Sequence, residues 1–339
     1  MLWHSLKTPI IGLAPMDGVS DASFRAIVAK YGHPSLTITE FTAAEGIRAG
    51  AVRLLEDFRY CEEERPVLAQ LFGSDPTAFY PATLAACWLG FDGIDINMGC
   101  PAKNVADRGA GAALIRDPDR AQEIVRVTKQ AVADFAKGVT MEEGGVHPAV
   151  IASVYARNLE EGRTVTPQAL PVSIKTRVGY NEISIDTWIE VLLATKPVAI
   201  TLHGRTLSQL YRGLADWEAI ALGAKRAKEE GVIALGNGDV QSVADAKERC
   251  AQYGVDGVLI GRAAFGNPWL FAEHEATFEE RCAVALEHAR YAWKLTPDTR
   301  FLRMRKHLLD YITGHEGAKE LRVQLMHAKT LADVEAVLC

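Results

Sequence analysis

The sequence predicts a TIM barrel, an eight-stranded (β/α)8 fold, followed by a small all-helical segment. Up to about residue 270, short apolar runs alternate with longer amphipathic runs, which is the pattern of buried parallel strands covered by helices. Polar residues gather where the apolar runs end. A closed barrel brings the carboxyl ends of all its strands to one mouth, whereas the alternative, an open doubly wound sheet, would spread them along an edge. The barrel is therefore favoured.

Eight apolar runs are the predicted strands: 9–16, 35–40, 66–72, 93–98, 171–176, 198–203, 232–237 and 257–261. The helix-like runs between them include 20–31, 76–89, 118–134, 184–195, 215–230 and 241–253. Ser20 and Ser242 stand where helix N-caps are expected, because their hydroxyls can accept from free backbone N–H groups. Gly32 and Gly254 stand where the same two helices should end.

Residues 135–169 do not fit the repeat, because structureless connections above about 12–15 residues are uncommon in compact domains. We interpret this segment as an insertion that carries a short helix near 148–159. It precedes a strand rather than following one, so we expect it at the base of the barrel, away from the mouth.

The segment 276–339 has helical periodicity and no strand pattern, with helices predicted over 276–294, 298–313, 315–327 and 330–338. We therefore divide the chain into a barrel, 1–275, and a helical domain, 276–339. The net charge is −6, but residues 300–329 contain seven Lys or Arg and three acids, a net +4 that leaves −10 elsewhere. The acidic average argues against a protein that coats nucleic acid generally. The tail keeps a local basic face, where Arg303 and Arg305 are candidate contacts.

Six scattered cysteines form no C-x-x-C pair and lie beside no histidine cluster, so we expect neither a zinc site nor a disulfide framework. The first 16 residues contain an apolar run far too short for a membrane span and lack the features of a signal peptide. We expect a cytoplasmic protein with free thiols, no metal and no membrane association.

Two glycine-rich loops follow the seventh and eighth predicted strands. Asn237, Gly238 and Asp239 lie in "GNGDV", and Gly261 and Arg262 open "GRAAFGNP". In barrels this pair of loops often binds a phosphate through backbone N–H groups and a helix N-terminus. The alternative is that these glycines only make tight turns.

Four polar residues at other strand ends could surround a heterocycle: Gln70, Asn97, Lys175 and His203. A lysine near a buried mouth carries a costly charge that an anionic ligand would offset. A histidine can donate to a ring carbonyl. Each residue alone is more commonly structural, but the set together favours a binding site.

Cys100 lies just past the fourth strand, in a loop shaped by Pro101 and several glycines. A lone cysteine is usually a small buried hydrophobe. This one is expected to face the mouth, where Lys103, Arg108 and Lys175 would favour the thiolate. The residues alone leave it an acid, a nucleophile, a ligand or an inert thiol.

Eight motifs resemble those of the tRNA-dihydrouridine synthase family, in order over roughly residues 9–271. They are "LAPMDGVSD", "QLFG", "INMGCPAKNV", "GAGAAL", "SIKTRVGY", "LHGRT", "GNGDV" and "IGRAAFGNPW", and the "NMGCP…GAGAAL" block is the most specific. The tail is similar to the family's RNA-binding helical domain.

The resemblance implies an FMN-dependent enzyme on a TIM barrel. The residues that match flavin contacts are Ala14, Pro15, Met16, Gln70, Lys175 and His203, and those that match the phosphate-binding segments are Asn237, Gly238, Asp239, Gly261 and Arg262. Asn97, Lys175 and Arg177 match residues that arrange the substrate uracil. Cys100 matches the catalytic acid.

The implied reaction reduces a specific D-loop uridine of tRNA to 5,6-dihydrouridine. NADPH, or NADH, reduces FMN; a hydride passes to uracil C6 and Cys100 protonates C5. An unperturbed thiol pKa of about 8.5 leaves that group protonated at neutral pH, so nearby cations should not lower it far. The basic tail would hold the tRNA backbone, and we expect a monomer.

Two other functions stay open. An FMN barrel oxidoreductase acting on a small molecule would have no use for a basic helical tail. A non-catalytic barrel that binds phosphate or tRNA would have no use for Cys100, Lys175 and His203 together.

Overall fold

A computed structural model of the protein describes residues 2–295 and 299–338. Within them the strands are β1 Ile10–Leu13, β2 Thr37–Ile38, β3 Thr42–Ala43, β4 Val67–Phe72, β5 Gly93–Met98, β6 Val172–Gly179, β7 Ala199–Thr206, β8 Ile233–Asn237 and β9 Gly257–Ile260. All pair in parallel in the order β1-β9-β8-β7-β6-β5-β4-β2, with β3 also on β4. The Leu13 N–H donates to the Leu36 carbonyl at 3.1 Å, which joins the two ends of the sheet. The predicted barrel is confirmed.

The second barrel strand is broken into β2 and β3. Thr37 pairs with Val67 and Ile38 with Leu68, whereas Thr42 pairs with Leu71. From Ile38 to Thr42 the second strand advances four residues, while its partner β4 advances three, from Leu68 to Leu71. The second strand therefore carries one extra residue, as a β-bulge does. The sequence predicts one continuous strand over 35–40, and that expectation is wrong at its carboxyl end.

The helices surround the sheet and form the tail. They are α1 Leu2–Ser5, α2 Ala22–Gly32, α3 Ala44–Arg48, α4 Pro76–Trp88, α5 Lys103–Ala106, α6 Pro118–Ala136, α7 Pro148–Glu160, α8 Ile185–Leu193, α9 Trp217–Glu229, α10 Val243–Tyr253, α11 Phe278–Leu295, α12 Met304–Tyr311, α13 Ala318–His327 and α14 Leu331–Leu338. None of the helices among the described residues is long and apolar enough to cross a membrane.

The caps of α2 differ from those predicted. Asp21, not Ser20, accepts from a first-turn N–H, because the Ser20 hydroxyl is used by Met16. His33, not Gly32, takes the left-handed conformation after the helix. Gly32 is needed for another reason, since a Cβ there would lie 2.3 Å from the Pro268 carbonyl. The caps predicted for α10, Ser242 and Gly254, are confirmed.

The insertion carries the expected helix, α7. The Arg157 guanidinium on α7 donates to the Glu56 carboxylate at 2.8 Å, and Asn158 donates to the Trp88 carbonyl at 2.7 Å. Trp88 ends α4 and precedes β5, so α7 lies at the amino-terminal end of the strands. The mouth is left open at the other end.

The tail packs on α2 through a second apolar core that includes Ile27, Trp269, Phe301, Leu308 and Tyr311. Predicted helix 298–313 is divided, with a 3-10 turn at 299–303 before α12, and residue 298 lies outside the described residues. The barrel interior has its own core, in which Trp3 of α1 is buried. The proposed boundary at 275/276 stays a prediction.

Candidate active site

The strand register brings the predicted site residues to one mouth. Asn97 lies opposite Lys175, Arg177 opposite His203, and His203 opposite Asn237. Residues two apart on a strand share a face. The side chains at these positions therefore converge at the carboxyl ends of β5, β6, β7 and β8.

Cys100 is held by a turn that Asn97 closes. The Asn97 side-chain oxygen accepts from the Gly99 N–H at 3.1 Å and from the Cys100 N–H at 2.9 Å. The Cys100 carbonyl accepts from the Ala112 N–H at 3.1 Å. Gly111 has φ +59°, and a Cβ there would lie 2.7 Å from that carbonyl, so the close approach requires glycine. The glycine-rich loop thus packs directly on the cysteine.

The environment keeps the Cys100 thiol protonated. Burial raises its pKa above the ordinary value, and Asp17 acts in the same direction; a backbone hydrogen bond at Ala102 and the charges of Arg177 and Lys175 oppose this. The net direction agrees with the expectation for an acid. It disagrees with a nucleophile, which needs a lowered pKa.

A chain of buried hydrogen bonds runs from Asp95 to the cysteine turn. The Ser173 hydroxyl and the Gln70 amide donate to Asp95 at 2.6 and 2.7 Å. The Gln70 oxygen accepts from the Asn97 amide at 3.0 Å. Both ends of the Gln70 amide are therefore bonded to protein, and Asn97 holds Cys100 as well as facing the mouth.

Lys175 brings a cation to the mouth without a hydrogen-bond partner among the described residues. Burial and Arg177 lower its pKa to about 8, while Asp95 and Cys100 act in the opposite direction. A half-buried ammonium without a direct partner is costly. An anionic or carbonyl group of a ligand would offset that cost.

Arg177 ties the cysteine loop to the loop after β7. Its Nε donates to the Gly99 carbonyl at 2.8 Å, and its Nη1 donates to the Thr206 and Leu210 carbonyls at 3.0 and 3.1 Å. Only Nη2 has no such bond within the described chain. This residue therefore shapes the mouth and has one nitrogen left for a ligand.

His203 is a neutral imidazole at the mouth. Burial, followed by the charges of Lys175 and three arginines, holds its pKa well below the ordinary value. Arg205, two residues on, donates to Asp239 at 2.6 Å, and Arg262 donates to the same carboxylate at 2.7 Å. The predicted phosphate residues Asp239 and Arg262 are thus paired with each other, so a phosphate would meet backbone N–H groups here rather than the Asp239 side chain.

The two glycine-rich loops approach different neighbours at the mouth. Gly238 has φ +127°, and a Cβ there would lie 2.6 Å from the Ala215 Cβ and 3.1 Å from the His203 ring. A Cβ on Gly261 would lie 3.1 Å from the Met16 sulfur. The segment Ala14–Met16 is thus next to Gly261. The Asn237 side-chain NH2 group donates to the Leu259 carbonyl at 2.8 Å, so it is already hydrogen-bonded within the protein.

The two tail arginines are not equivalent. Arg303 is exposed and lines a small cavity with Asp21 and Glu40 at the barrel edge. Arg305 is half-buried, and its Nε donates to the Ala328 carbonyl at 2.6 Å, where α13 ends. The structure therefore gives Arg305 a structural bond, whereas the Arg303 side chain makes no hydrogen bond or ion pair with another described residue.

The sequence predictions leave Asp95 and Arg205 out of the site, and they place Glu40 only among the polar residues at strand ends. Asp95 and Arg205 each lie two residues from a predicted site residue on the same strand, so the period of two could have found them. Glu40 is buried in the broken second strand. Burial, Asp21 and Asp57 raise its pKa to about 7, against the opposing charge of Arg25.

Comparisons with known proteins show the family of this chain. The family model "Dihydrouridine synthase (Dus)" matches residues 12–142 and 154–339. The chain belongs to the dihydrouridine synthase family. The match extends through the tail, and the unmatched residues 143–153 are a shorter stretch than the predicted insertion 135–169.

Curated relatives match over nearly the whole chain. A "Probable tRNA-dihydrouridine synthase" of Staphylococcus aureus (strain COL) is 32% identical over 99% of this chain and 94% of its own length. A "Probable tRNA-dihydrouridine synthase 2" of Bacillus subtilis (strain 168) is 30% identical over 99% of this chain and 95% of its own. A solved DHODH from Eimeria tenella, in complex with ferulenol, has TM-score 0.40 and 12% identity, covering 65% of this chain and 58% of its own.

The family is one of flavin-dependent oxidoreductases, and the mouth fits a flavin. Lys175 offers a cation that has no hydrogen-bond partner in the described part of the chain, and His203 is a neutral ring that can donate or accept. Gly238 lets the backbone come close beside that ring. A heterocycle with carbonyl groups and an anionic tail matches this set of donors.

Proposed function

We propose that this chain reduces a uridine of the tRNA D-loop to 5,6-dihydrouridine, with FMN as the flavin and Cys100 as the acid. NADPH is the proposed reductant, and NADH is the alternative. The observation that carries the proposal is a half-buried thiol of raised pKa that shares the barrel mouth with Lys175, a cation that has no hydrogen-bond partner among the described residues. The expected monomeric state stays a prediction.

The names of the relatives support tRNA as the substrate, since the Staphylococcus aureus and Bacillus subtilis proteins are both named probable tRNA-dihydrouridine synthases. The motif "NMGCPAKNV" supports the choice of FMN and of the D-loop through its resemblance to the family. In the tail, Arg303, Lys319 and Arg322 are exposed and offer cations to a phosphate backbone.

Saturating the C5–C6 bond of uracil requires a hydride and a proton. When bound, the flavin supplies the hydride. Cys100 supplies the proton to C5, because its raised pKa keeps the Sγ–H bond intact at neutral pH. After transfer, the charges of Arg177 and Lys175 stabilise the thiolate, because both act to lower the pKa of Cys100. A general acid needs both properties: it holds its proton beforehand and tolerates the charge afterwards.

Positioning of the base falls to the residues around the thiol. Asn97 fixes the backbone at Cys100, and Arg177 keeps that loop against the β7 loop. The uridine must leave its stack to reach this depth, at a cost of about a few kcal/mol that contacts in the mouth and along the tail would offset.

The deciding experiment compares wild-type protein with Cys100→Ala on tRNA that lacks dihydrouridine. We expect wild-type protein to form dihydrouridine and the variant to lose at least about a hundredfold in rate, the usual range for removing a general acid. Both should bind FMN and oxidise NADPH with an artificial acceptor. Cys250→Ala, a half-buried cysteine on α10, is the control.

Two results would contradict the proposal. Dihydrouridine formed by Cys100→Ala at the wild-type rate would remove the acid role. Wild-type protein that carries flavin but reduces a free pyrimidine or an enoate in place of tRNA would favour a small-molecule oxidoreductase.

A further inference from the structure

Asp95 is a buried carboxylate at the centre of the barrel that the proposed chemistry does not use. It is 1% exposed on β5, and Gln70 of β4 and Ser173 of β6 lie opposite it in register. Burial raises its pKa, against the hydrogen bonds from Gln70 and Ser173 and the charge of Lys175. A group this costly to bury calls for a physical reason.

The hydrogen bonds around Asp95 have a direction. A carboxylate only accepts, so the side of the Gln70 amide that faces Asp95 at 2.7 Å must be its NH2 group. The Gln70 oxygen then faces Asn97 and accepts from its NH2 group at 3.0 Å. The Asn97 oxygen in turn faces the Gly99 and Cys100 N–H groups.

We infer that Asp95 is a positioning residue for Cys100, acting through the orientations of Gln70 and Asn97. An amide can flip end for end at little cost in shape, and a flipped Asn97 would present NH2 to two backbone N–H groups and lose both bonds. Asp95 excludes this flip in two steps. Its carboxylate oxygen accepts from the Gln70 NH2 group and so fixes the orientation of the Gln70 amide. The Gln70 oxygen then accepts from the Asn97 NH2 group and fixes the orientation of the Asn97 amide. The inference rests on Cys100 being the acid of the proposed reaction.

The alternative role for Asp95 is a counter-charge for Lys175, with which it interacts electrostatically. The two roles differ in what Asp95→Asn should do. Asparagine keeps an oxygen that can accept from Gln70 while its NH2 group donates to the Ser173 hydroxyl, so the chain of bonds survives and only the charge is lost.

The test measures iodoacetamide alkylation of Cys100 in the full-length protein by mass spectrometry, alongside dihydrouridine formation. In Asp95→Ala we expect Cys100 to be alkylated about tenfold faster, because the turn loosens, and dihydrouridine to form at least about tenfold more slowly. Asp95→Asn should stay within about threefold of wild type in both. Alkylation of Cys87, which is fully buried in α4, should not change in either variant.

Ser173→Ala is the matched control, since it removes a buried hydrogen bond to the same carboxylate and leaves the bonds of Gln70 and Asn97 in place. We expect Cys100 alkylation within about threefold of wild type. If Asp95→Ala does not fold, Gln70→Met interrupts the same chain at its middle and should speed alkylation of Cys100 in the same way.

Unchanged Cys100 alkylation in Asp95→Ala, or in Gln70→Met where the first variant fails to fold, would overturn the inference. So would Asp95→Asn behaving like Asp95→Ala, because the charge would then matter more than the orientation. Alkylation needs neither tRNA nor nicotinamide. If wild-type protein forms no dihydrouridine, the proposed function is contradicted. The alkylation rates of Cys100 would still test the role of Asp95.

Discussion

At the scale of single residues, the mouth combines a protonated thiol with a cation close to its titration point. Burial acts on both, but it raises the pKa of Cys100 and lowers that of Lys175, since the neutral form is favoured in each case. Burial therefore shifts the two pKa values toward each other, whereas a thiol ordinarily titrates about two units below an amine. Ligand binding and acid catalysis should respond to pH through different residues.

The affinity for FMN should report the charge of Lys175. Its pKa of about 8 means that the ammonium is present at pH 7 and is lost as the pH rises. We expect the dissociation constant of FMN, measured by quenching of flavin fluorescence, to rise between pH 7 and 9. Lys175→Met should bind FMN more weakly at pH 7 and show a flat profile. A wild-type profile as flat as that of the variant would show that Lys175 does not contact the flavin.

At the scale of elements, the sequence predicts most of the barrel because buried parallel strands have continuous apolar runs of matching length. β5 was predicted with its observed bounds, and β4 within one residue. The prediction of the second strand is wrong at its carboxyl end, because the extra residue is recognisable only from how this strand pairs with β4. The site residues were predictable from strand ends. Their mutual bonds were not, since Gln70 and Asn97 are 27 residues apart in sequence.

Helix α2 is held by a buried ion pair between Arg25 and Glu64 that cannot be predicted from the local sequence, because the two residues are 39 positions apart. Arg25 donates to the Glu64 carboxylate at 2.7 Å with both side chains fully buried, and to the Ser20 carbonyl at 2.8 Å in the loop after β1. Arg25→Met leaves Glu64 without its counter-charge. We expect a loss of about 3–5 kcal/mol in unfolding free energy by urea titration.

The exposed pair between Lys30, on the same helix, and Glu287 supplies the control for that measurement. Lys30→Ala should cost less than about 1 kcal/mol, because solvent screens exposed charges. Equal losses in the Arg25 and Lys30 variants would refute the structural importance of the buried pair.

At the scale of the whole molecule, the barrel and the tail meet at two buried histidines. His288 of α11 lies between the Ser23 hydroxyl at 3.2 Å and the Tyr311 hydroxyl at 3.1 Å. His307 of α12 stacks on Phe24 with ring centroids 5.1 Å apart. The loop after β1, which lies at the mouth, leads directly into α2. The junction therefore connects the position of the tail with the position of a loop at the mouth.

Acid should lower the free energy of unfolding, because the two buried histidines at this junction have lowered pKa values in the folded protein. Burial lowers the pKa of His288 to about 3 and that of His307 to about 4; Asp21 opposes the shift in both, and Lys306 reinforces it at His307. Below pH 6.5 the unfolded chain therefore binds protons that the folded protein does not. Unfolding free energy should fall by about 1.4 kcal/mol per pH unit for each histidine between pH 6 and 4.5.

His307→Phe isolates one of these two contributions. Within the described ranges the buried His307 Nε2 has no hydrogen-bond partner, so phenylalanine removes no bond there and keeps the stacking on Phe24. We expect the variant to be at least as stable as wild type at pH 7, and its unfolding free energy from urea titrations to depend less steeply on pH by about 1.4 kcal/mol per unit. A His307→Phe slope equal to that of wild type would mean that this histidine takes up its proton in the folded protein, and that the junction opens to solvent before the barrel unfolds.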